Sequence, residues 1–257
     1  MIWDRGRNAQ SCAALLLVVC VVSIAMPVER VVAQDVPANT SPPGLEASTA
    51  EPSQRFVQHL YRDLLGRDPS DDELEARIAQ YQERQASVDL AQSLIRTPEY
   101  ETLLVLRVYG DRLGRTPTVD ELTFWLGPRQ GIGVDERTIL WNVLSTDEYF
   151  LYAGGTFASF VTRVYQDLLD RAPDDAELTR AIAALSDGSL LRANLPLQLL
   201  TSPEYTTALI NGYAQRFLGR PANENELLSY TSRLQTGVAF ELVMASILGS
   251  PEYLARP

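Results

Sequence analysis

Apolar residues recur three and four positions apart along most of the chain, which is the spacing of one face of an α-helix. The clearest example lies between residues 157 and 169, where the apolar positions are Phe157, Phe160, Val161, Val164, Tyr165, Leu168 and Leu169. No stretch shows convincingly the alternation of apolar and polar residues that is typical of a half-buried strand. The pattern therefore predicts an all-α protein.

One unit of about 50 residues occurs four times. Each copy contains a Tyr, then Leu-Gly-Arg or a close variant, then Glu-Leu, and it closes on Glu-Tyr. The closing tyrosines are 49, 56 and 48 residues apart, and the longer interval coincides with an insertion around Gly154 and Gly155. This period predicts tandem helical repeats. The copies are residues 55–100, 101–149, 150–205 and 206–257, and the recurring residues are Arg67, Arg115, Arg171 and Arg220, Glu99, Glu148, Glu204 and Glu252, and Tyr100, Tyr149, Tyr205 and Tyr253.

Each copy is predicted to contain roughly three helices. A left-handed residue should end the first helix, and these residues are Gly66, Gly114, Asp170 and Gly219. A capping box should open the second helix, formed by Ser70 with Glu73, Thr118 with Glu121, Asp174 with Glu177 and Asn223 with Glu226. The third helices are predicted over residues 88–95, 136–144, 194–200 and 240–248. A Ser or Thr near the closing Glu-Tyr, in most copies directly before a Pro, should start a further helix that continues into the next copy.

Residues 1–33 have the features of a secretory signal peptide. A basic start is followed by an uncharged, mostly apolar run over residues 11–26, and Val31 and Ala33 supply the small residues before a cleavage site. The run is shorter than the roughly 18 to 25 residues that span a bilayer, so cleavage near Ala33 is favoured over an uncleaved anchor. The sequence thus predicts a secreted protein, or one of the periplasm or cell envelope.

Residues 34–54 are rich in Pro, Ser, Thr and Ala and lack periodic apolar positions, which predicts a flexible, disordered linker. Both cysteines, Cys12 and Cys20, precede this linker and are removed with the signal peptide. The mature chain therefore has no thiol from which to form a disulfide.

Composition excludes several classes of function. The chain has 33 acidic and 22 basic residues, a net charge of −11, so we expect no nucleic-acid partner and no attraction to an anionic lipid surface. It has one histidine, His59, which is expected on the solvent side of its helix. No nucleophile–histidine pair, metal-ligand motif or phosphate-binding glycine loop is present. We therefore predict no catalytic, cofactor-binding or metal site, and a protein that is not an enzyme.

The four recurring arginines allow two interpretations. They could form a row of contacts to an anion or a partner along one side of the protein. Alternatively, each guanidinium could bond carbonyl groups at the helix end and pair with the glutamate of the closing Glu-Tyr. Arginine and glutamate recur together in every copy, which favours the local interpretation.

Aromatic residues are concentrated in the second copy and its insertion, where Trp125 and Trp141 are the largest. Core packing is one interpretation of these residues. A patch that stacks against sugars or docks a protein is the other. The sequence leaves both open.

The string Phe56-Val-Gln-His-Leu-Tyr-Arg-Asp-Leu-Leu-Gly-Arg67, closing on Thr97-Pro-Glu-Tyr100, resembles a bacterial family of unknown function whose domains recur in secreted and cell-surface proteins. It is also similar to the helical linker domain of phycobilisomes, which shares the Tyr…Leu-Gly-Arg and Ser-x-Glu-Tyr motifs. The resemblance covers residues 56–253 and implies an all-helical, non-catalytic module that mediates contacts between larger bodies. This chain departs from the pattern at Asp170 and at an extra residue before Arg220.

We therefore expect a non-catalytic, extracytoplasmic helical scaffold or adaptor that mediates protein–protein contacts at the bacterial envelope or outside the cell. It should need no cofactor, and no membrane span should remain after signal cleavage. The alternative is a polysaccharide-binding or polysaccharide-modifying envelope protein that uses the aromatic second copy, with a glycan as its partner.

Overall fold

The computed structural model describes residues 52–84, 86–127, 135–236 and 238–256, and these contain helices and no strand. The all-α prediction is therefore confirmed. The predicted signal peptide and nearly all of the linker lie outside the described residues. The first helix begins at Pro52, so the linker was predicted to run three residues too far. Proline is compatible with the first turn of a helix because its missing N–H needs no partner there.

The described residues form fourteen helices in two successive sets of seven. The first set is α1 (Pro52–Leu65), α2 (Asp71–Arg84), α3 (Ser87–Ile95), α4 (Pro98–Leu113), α5 (Val119–Leu126), α6 (Glu136–Leu144) and α7 (Asp147–Tyr152). The second set is α8 (Phe157–Leu169), α9 (Asp175–Ser186), α10 (Asn194–Leu200), α11 (Pro203–Leu218), α12 (Glu224–Gln235), α13 (Phe240–Leu248) and α14 (Pro251–Leu254). Among these helices, none combines the length and the hydrophobicity needed to span a bilayer.

Two long helices join successive copies. α4 and α11 each start at a Pro-Glu-Tyr and continue for 16 residues into the next copy, as predicted. The prediction of a continuous helix is wrong between the second and third copies, where α7 stops at Tyr152 and α8 starts at Phe157. Gly154 and Gly155 lie between them with φ angles of 108° and 69°, which a right-handed helix does not accommodate.

A left-handed residue follows the first helix of every copy. Gly66, Gly114 and Gly219 have φ angles of 69°, 67° and 71°. Asp170 adopts the same conformation, with a φ angle of 54°, and it is the single non-glycine residue with a positive φ in the described part of the chain. Aspartate tolerates this region better than most residues, so the departure at Asp170 leaves the helix end unchanged.

The last helix packs against the first. Tyr253 of α14 is fully buried, its ring centroid lies 6.1 Å from that of Phe56, and its hydroxyl donates to Asp63 at 2.9 Å. The junction of α7 with α8 has the same arrangement, in which Tyr149 lies 6.0 Å from Phe160 and donates to Asp167 at 2.8 Å. In an open solenoid each repeat contacts only its neighbours. Here the fourth copy contacts the first as the second contacts the third, so the array is closed.

The third helices make the second contact between the two sets, α3 with α13 and α6 with α10. α3 and α13 come so close that a Cβ on Gly249 would lie 2.6 Å from a methyl group of Val88. The hydroxyl of Ser87 donates to the Gly249 carbonyl at 2.7 Å across this contact. One hydrophobic core extends from Phe56 to Tyr253 as a result.

Replacing Tyr253 with alanine should destabilise the whole body, because it opens a cavity between α14 and α1 and removes the bond to Asp63. We expect a loss of about 3–5 kcal/mol in the free energy of unfolding, measured by urea denaturation. Leu228→Ala is the control, since Leu228 is 64% exposed and should change stability by less than about 0.5 kcal/mol. Equal stabilities of the two variants would contradict the closed arrangement.

Candidate functional site

The recurring arginines lie in the turn after the first helix of each copy, and each contacts two glutamates. One glutamate comes from the capping box of the next helix and the other from the closing Glu-Tyr. We call each set an arginine cluster: Arg67 with Glu73 and Glu99, Arg115 with Glu121 and Glu148, Arg171 with Glu177 and Glu204, and Arg220 with Glu226 and Glu252.

Arg115 shows the geometry shared by all four clusters. Its Nη1 and Nη2 donate to the two oxygens of Glu121 at 2.9 and 2.7 Å. Its Nε and Nη2 donate to the two oxygens of Glu148 at 2.5 and 2.6 Å. The remaining Nη1 hydrogen bonds the carbonyl oxygen of Thr116 at 3.0 Å. The guanidinium has five N–H donors, and all five are bonded.

The same five bonds form around Arg67, Arg171 and Arg220. No donor is left on these arginines for a bound anion or partner. Each arginine pairs with the glutamate of the closing Glu-Tyr, in agreement with the local interpretation. The carbonyl that each arginine bonds belongs to the next residue of the turn, whereas the sequence pointed to the orphan carbonyls of the helix end.

The capping-box glutamate has a second role that the sequence did not reveal. Glu121 accepts from the backbone N–H of Thr118 at 2.6 Å and thereby caps α5, while both its oxygens also bond Arg115. The boxes at Ser70, Asp174 and Asn223 form in the same way. The sequence did contain a signal for this pairing, because the arginine, the capping residue and the glutamate have the same spacing in every copy. Residues six apart across a turn lie close enough to bond.

The arginines also lower the pKa values of their glutamates. The hydrogen bonds from Arg67, Arg115 and Arg171 lower the pKa of Glu73, Glu121 and Glu177 to about 2. The pKa values of the closing glutamates are lowered by the same cause. These carboxylates therefore stay ionised at any physiological pH and do not act as general acids.

A tyrosine ring lies beneath three of the four arginines. The guanidinium carbons of Arg67, Arg115 and Arg171 are 5.2, 5.2 and 5.3 Å from the ring centroids of Tyr61, Tyr109 and Tyr165. This is cation–π distance. The fourth copy has no extra residue relative to the second, because α4 and α11 are both 16 residues long and the arginine follows at the same distance. Tyr213 takes the place of Val108 and Ala214 that of Tyr109, so the tyrosine is one position out of register. That tyrosine is buried elsewhere, beside α4 and α8.

The closing tyrosines are all buried, but they divide into two pairs. Tyr149 and Tyr253 bond an aspartate of the following first helix, as described above. Tyr100 and Tyr205 lie on the continuous helices α4 and α11, and the hydroxyl of Tyr100 lies 3.8 Å from the sulfur of Met244. Asp63 and Asp167, which sequence reasoning missed, occupy the same place two residues after a tyrosine in the first and third copies.

The two tryptophans of the aromatic second copy are held by the fold. Trp125 is 2% exposed, and its Nε1 donates to the hydroxyl of Tyr109 at 3.2 Å. Trp141 is half-buried against the core, and its Nε1 donates to the carbonyl of Ala193 at 3.0 Å. Both indoles thus contribute to packing, Trp125 fully and Trp141 in part.

His59 is also placed differently from the expectation, because α14 covers part of it. Its ring lies 6.5 Å from that of Tyr253, and burial, together with Arg256, lowers its pKa. Over the described residues, no group of three or more His, Cys, Asp or Glu side chains is arranged to hold a metal ion.

One carboxyl group, Glu241 at the start of α13, is half-buried and incompletely bonded. Its Oε1 has no hydrogen-bond partner. Burial raises the pKa of Glu241 to about 7, and the negative charge of Asp135, which caps α6, contributes to the shift. The group is a local cost to stability at neutral pH.

Arg115→Ala should lower the melting temperature, because it leaves the carboxylates of Glu121 and Glu148 facing each other without a cation. Allowing for the exposure of the cluster, we expect a loss of about 1 kcal/mol and a melting shift of roughly 2–4 °C. Arg115→Lys should recover little of this, since an ammonium cannot form two bidentate pairs. Arg180→Ala, at an exposed site on α9, is the control. An unchanged melt of Arg115→Ala would remove the structural interpretation.

Stability should fall as pH rises from about 4.5 to about 7, owing to Glu241. Below this range the carboxyl is protonated in both states, whereas within it the unfolded chain releases the proton first and unfolding is favoured. Glu241→Gln should flatten the decline and raise the melting temperature at pH 8, with Glu75→Gln as a control for the loss of one surface charge. Parallel pH profiles of Glu241→Gln and the unaltered protein would contradict the assignment.

Comparison with known proteins gives one match. Residues 143–209, from the end of α6 into α11, match the family model Domain of unknown function (DUF4214). No curated protein and no solved structure matches the chain. The resemblance to a family of unknown function is thus supported over this stretch, and the similarity to phycobilisome linker domains stays a prediction.

Proposed function

We propose that the protein is a non-catalytic helical scaffold or adaptor that binds other proteins at the cell envelope or outside the cell. Its export rests on the predicted signal peptide in residues 1–33. The arginine clusters support a non-catalytic role. Their charged groups are bonded to one another, and their glutamates stay ionised and so cannot donate a proton.

Exposed apolar side chains around α7 are the observation that carries the proposal. Leu151 and Tyr152 are 70% and 49% exposed, and Val119 at the start of α5 is 78% exposed. The hydroxyl of Tyr152 lies 3.1 Å from the position that a Cβ on Gly114 would take, so the end of α7 lies beside the turn that leads into α5. Exposed apolar residues grouped in this way are typical of protein-binding surfaces.

Leu151 and Tyr152 of this surface lie in the insertion between the second and third copies. Counted from the closing tyrosines, Leu151 and Tyr152 correspond to Ala255 and Arg256 of the fourth copy, so the exposed apolar pair has no equivalent there. The polysaccharide alternative loses part of its support, since the indole N–H groups of Trp125 and Trp141 are bonded within the fold.

Affinity capture from native envelope and secreted extracts tests the proposal. With the protein as bait we expect a defined protein partner, whose recovery should fall about tenfold with Leu151→Asp, because a charge in an apolar contact costs more than 1.4 kcal/mol. Leu228→Asp is the matched control, an exposed leucine of α12 in the other half of the molecule. Recovery of glycan alone, or equal recovery with both variants, would contradict the proposal.

A further inference from the structure

A cleft of about 520 Å³ lies between α4, α8 and α11, close to the junction of the two helix sets. This volume is within the range of small-molecule sites, about 300–1,000 Å³. One stripe of α11 lines it, composed of Tyr205, Ala208, Leu209, Gly212, Tyr213 and Arg216. Gly212 leaves part of the space open, because a Cβ there would meet nothing within 4 Å.

Three arginines and three carboxylates border the cleft, and they pair unevenly. Arg107 pairs with Glu136 at 3.3 Å. Arg112 pairs with Asp167 at 3.3 Å, but Asp167 also accepts from Arg163, so that one carboxylate serves two guanidinium groups.

Arg112 and Arg216 retain unused capacity. The Nε of Arg112 is buried and has no hydrogen-bond partner. Arg216 donates to the backbone carbonyl of Asp63 at 2.7 Å, and no carboxylate in the described chain lies within ion-pair distance of it. A third carboxylate, Asp170, borders the cleft at the exposed end of α8 and is paired with neither arginine.

Two tyrosines add neutral hydrogen-bonding groups. Tyr205 and Tyr213 line the cleft, and within the described residues neither hydroxyl has a protein hydrogen-bond partner. Burial raises the pKa of both phenols, so they remain protonated donors. Tyr213 lies here and not beneath an arginine because it stands one position earlier in α11 than Tyr109 does in α4. Guanidinium and hydroxyl donors are the groups that bind carboxylate and phosphate oxygens.

We propose that this cleft binds a small organic molecule through an anionic oxygen group, a carboxylate or a phosphate, with Arg112 and Arg216 as the cationic contacts. This function goes beyond the scaffold role. Because α4 belongs to the first helix set and α8 and α11 to the second, the ligand would bridge the two sets and stabilise their junction.

Calorimetric titration of the full chain with citrate and with inorganic phosphate tests the proposal, with glycerol as the uncharged control. We expect saturable binding of one anion per chain and a higher melting temperature in its presence. The tighter of the two probes identifies the class of anion. Absence of saturation by both probes up to about 10 mM would overturn the proposal.

Two variants locate the site by different means. Arg216→Ala removes a cationic contact, and Gly212→Leu fills the cleft, so each should weaken binding at least about tenfold. Gly110→Leu is the matched control for the second variant, because Gly110 is an exposed helical glycine of α4 with open space around it and lies outside the cleft. Arg180→Ala is the control for charge.

The Gly212→Leu variant keeps the test valid if Arg216→Ala fails to fold, since leucine favours a helix more than glycine does. Unaltered affinity in Gly212→Leu would overturn the placement of the ligand in this cleft.

Discussion

A guanidinium group with all five of its donors bonded is the interaction on which each copy depends. It joins the turn after a first helix to the start of the second helix, six residues further on, and to the distant start of the helix that carries the closing Glu-Tyr. Apolar contacts hold these helices together but have no preferred direction. The two bidentate pairs fix the angles at which the helices meet, and the tyrosine ring beneath the guanidinium in three copies keeps its plane in place.

Given this common unit, the way in which the copies connect decides the architecture. In α4 and α11 the closing tyrosine and the first helix of the next copy belong to one continuous helix. The tyrosine therefore cannot fold back onto an aspartate of that helix. Where the backbone is interrupted, at Gly154 and Gly155, Tyr149 reaches Asp167. The separation of α14 from α1 has the same effect for Tyr253 and Asp63. Two interrupted and two continuous junctions alternate and close the array.

Both proposals rest on departures from the repeat. The donors of the arginine clusters are saturated, so the proposed binding uses other groups. The insertion supplies the exposed residues Leu151 and Tyr152, and the shift of one tyrosine by one position in α11 supplies Tyr213 to the cleft. Gly212 occupies in α11 the place that Arg107 has in α4, which opens one side of the cleft and puts a cation on the other. Both surfaces arise where one copy differs from the rest.

Much of the local structure followed from the sequence alone. The helical period, the capping boxes and the left-handed helix ends depend on residues within one or two turns of each other, and the pairing of arginine with the closing glutamate could be inferred from their joint recurrence. The burial of Trp125 and the lack of a carboxylate beside Arg216 could not be inferred, because each depends on how helices pack. The second glutamate of each cluster is different, since its constant spacing from the arginine was a signal in the sequence. Tyr253 and Asp63 are separated by 190 residues, and no local pattern records that they meet. Helix formation was determined by neighbouring residues, whereas closure, the cleft and the burial of Trp125 were decided by tertiary packing, since only the folded chain brings distant side chains within bonding distance.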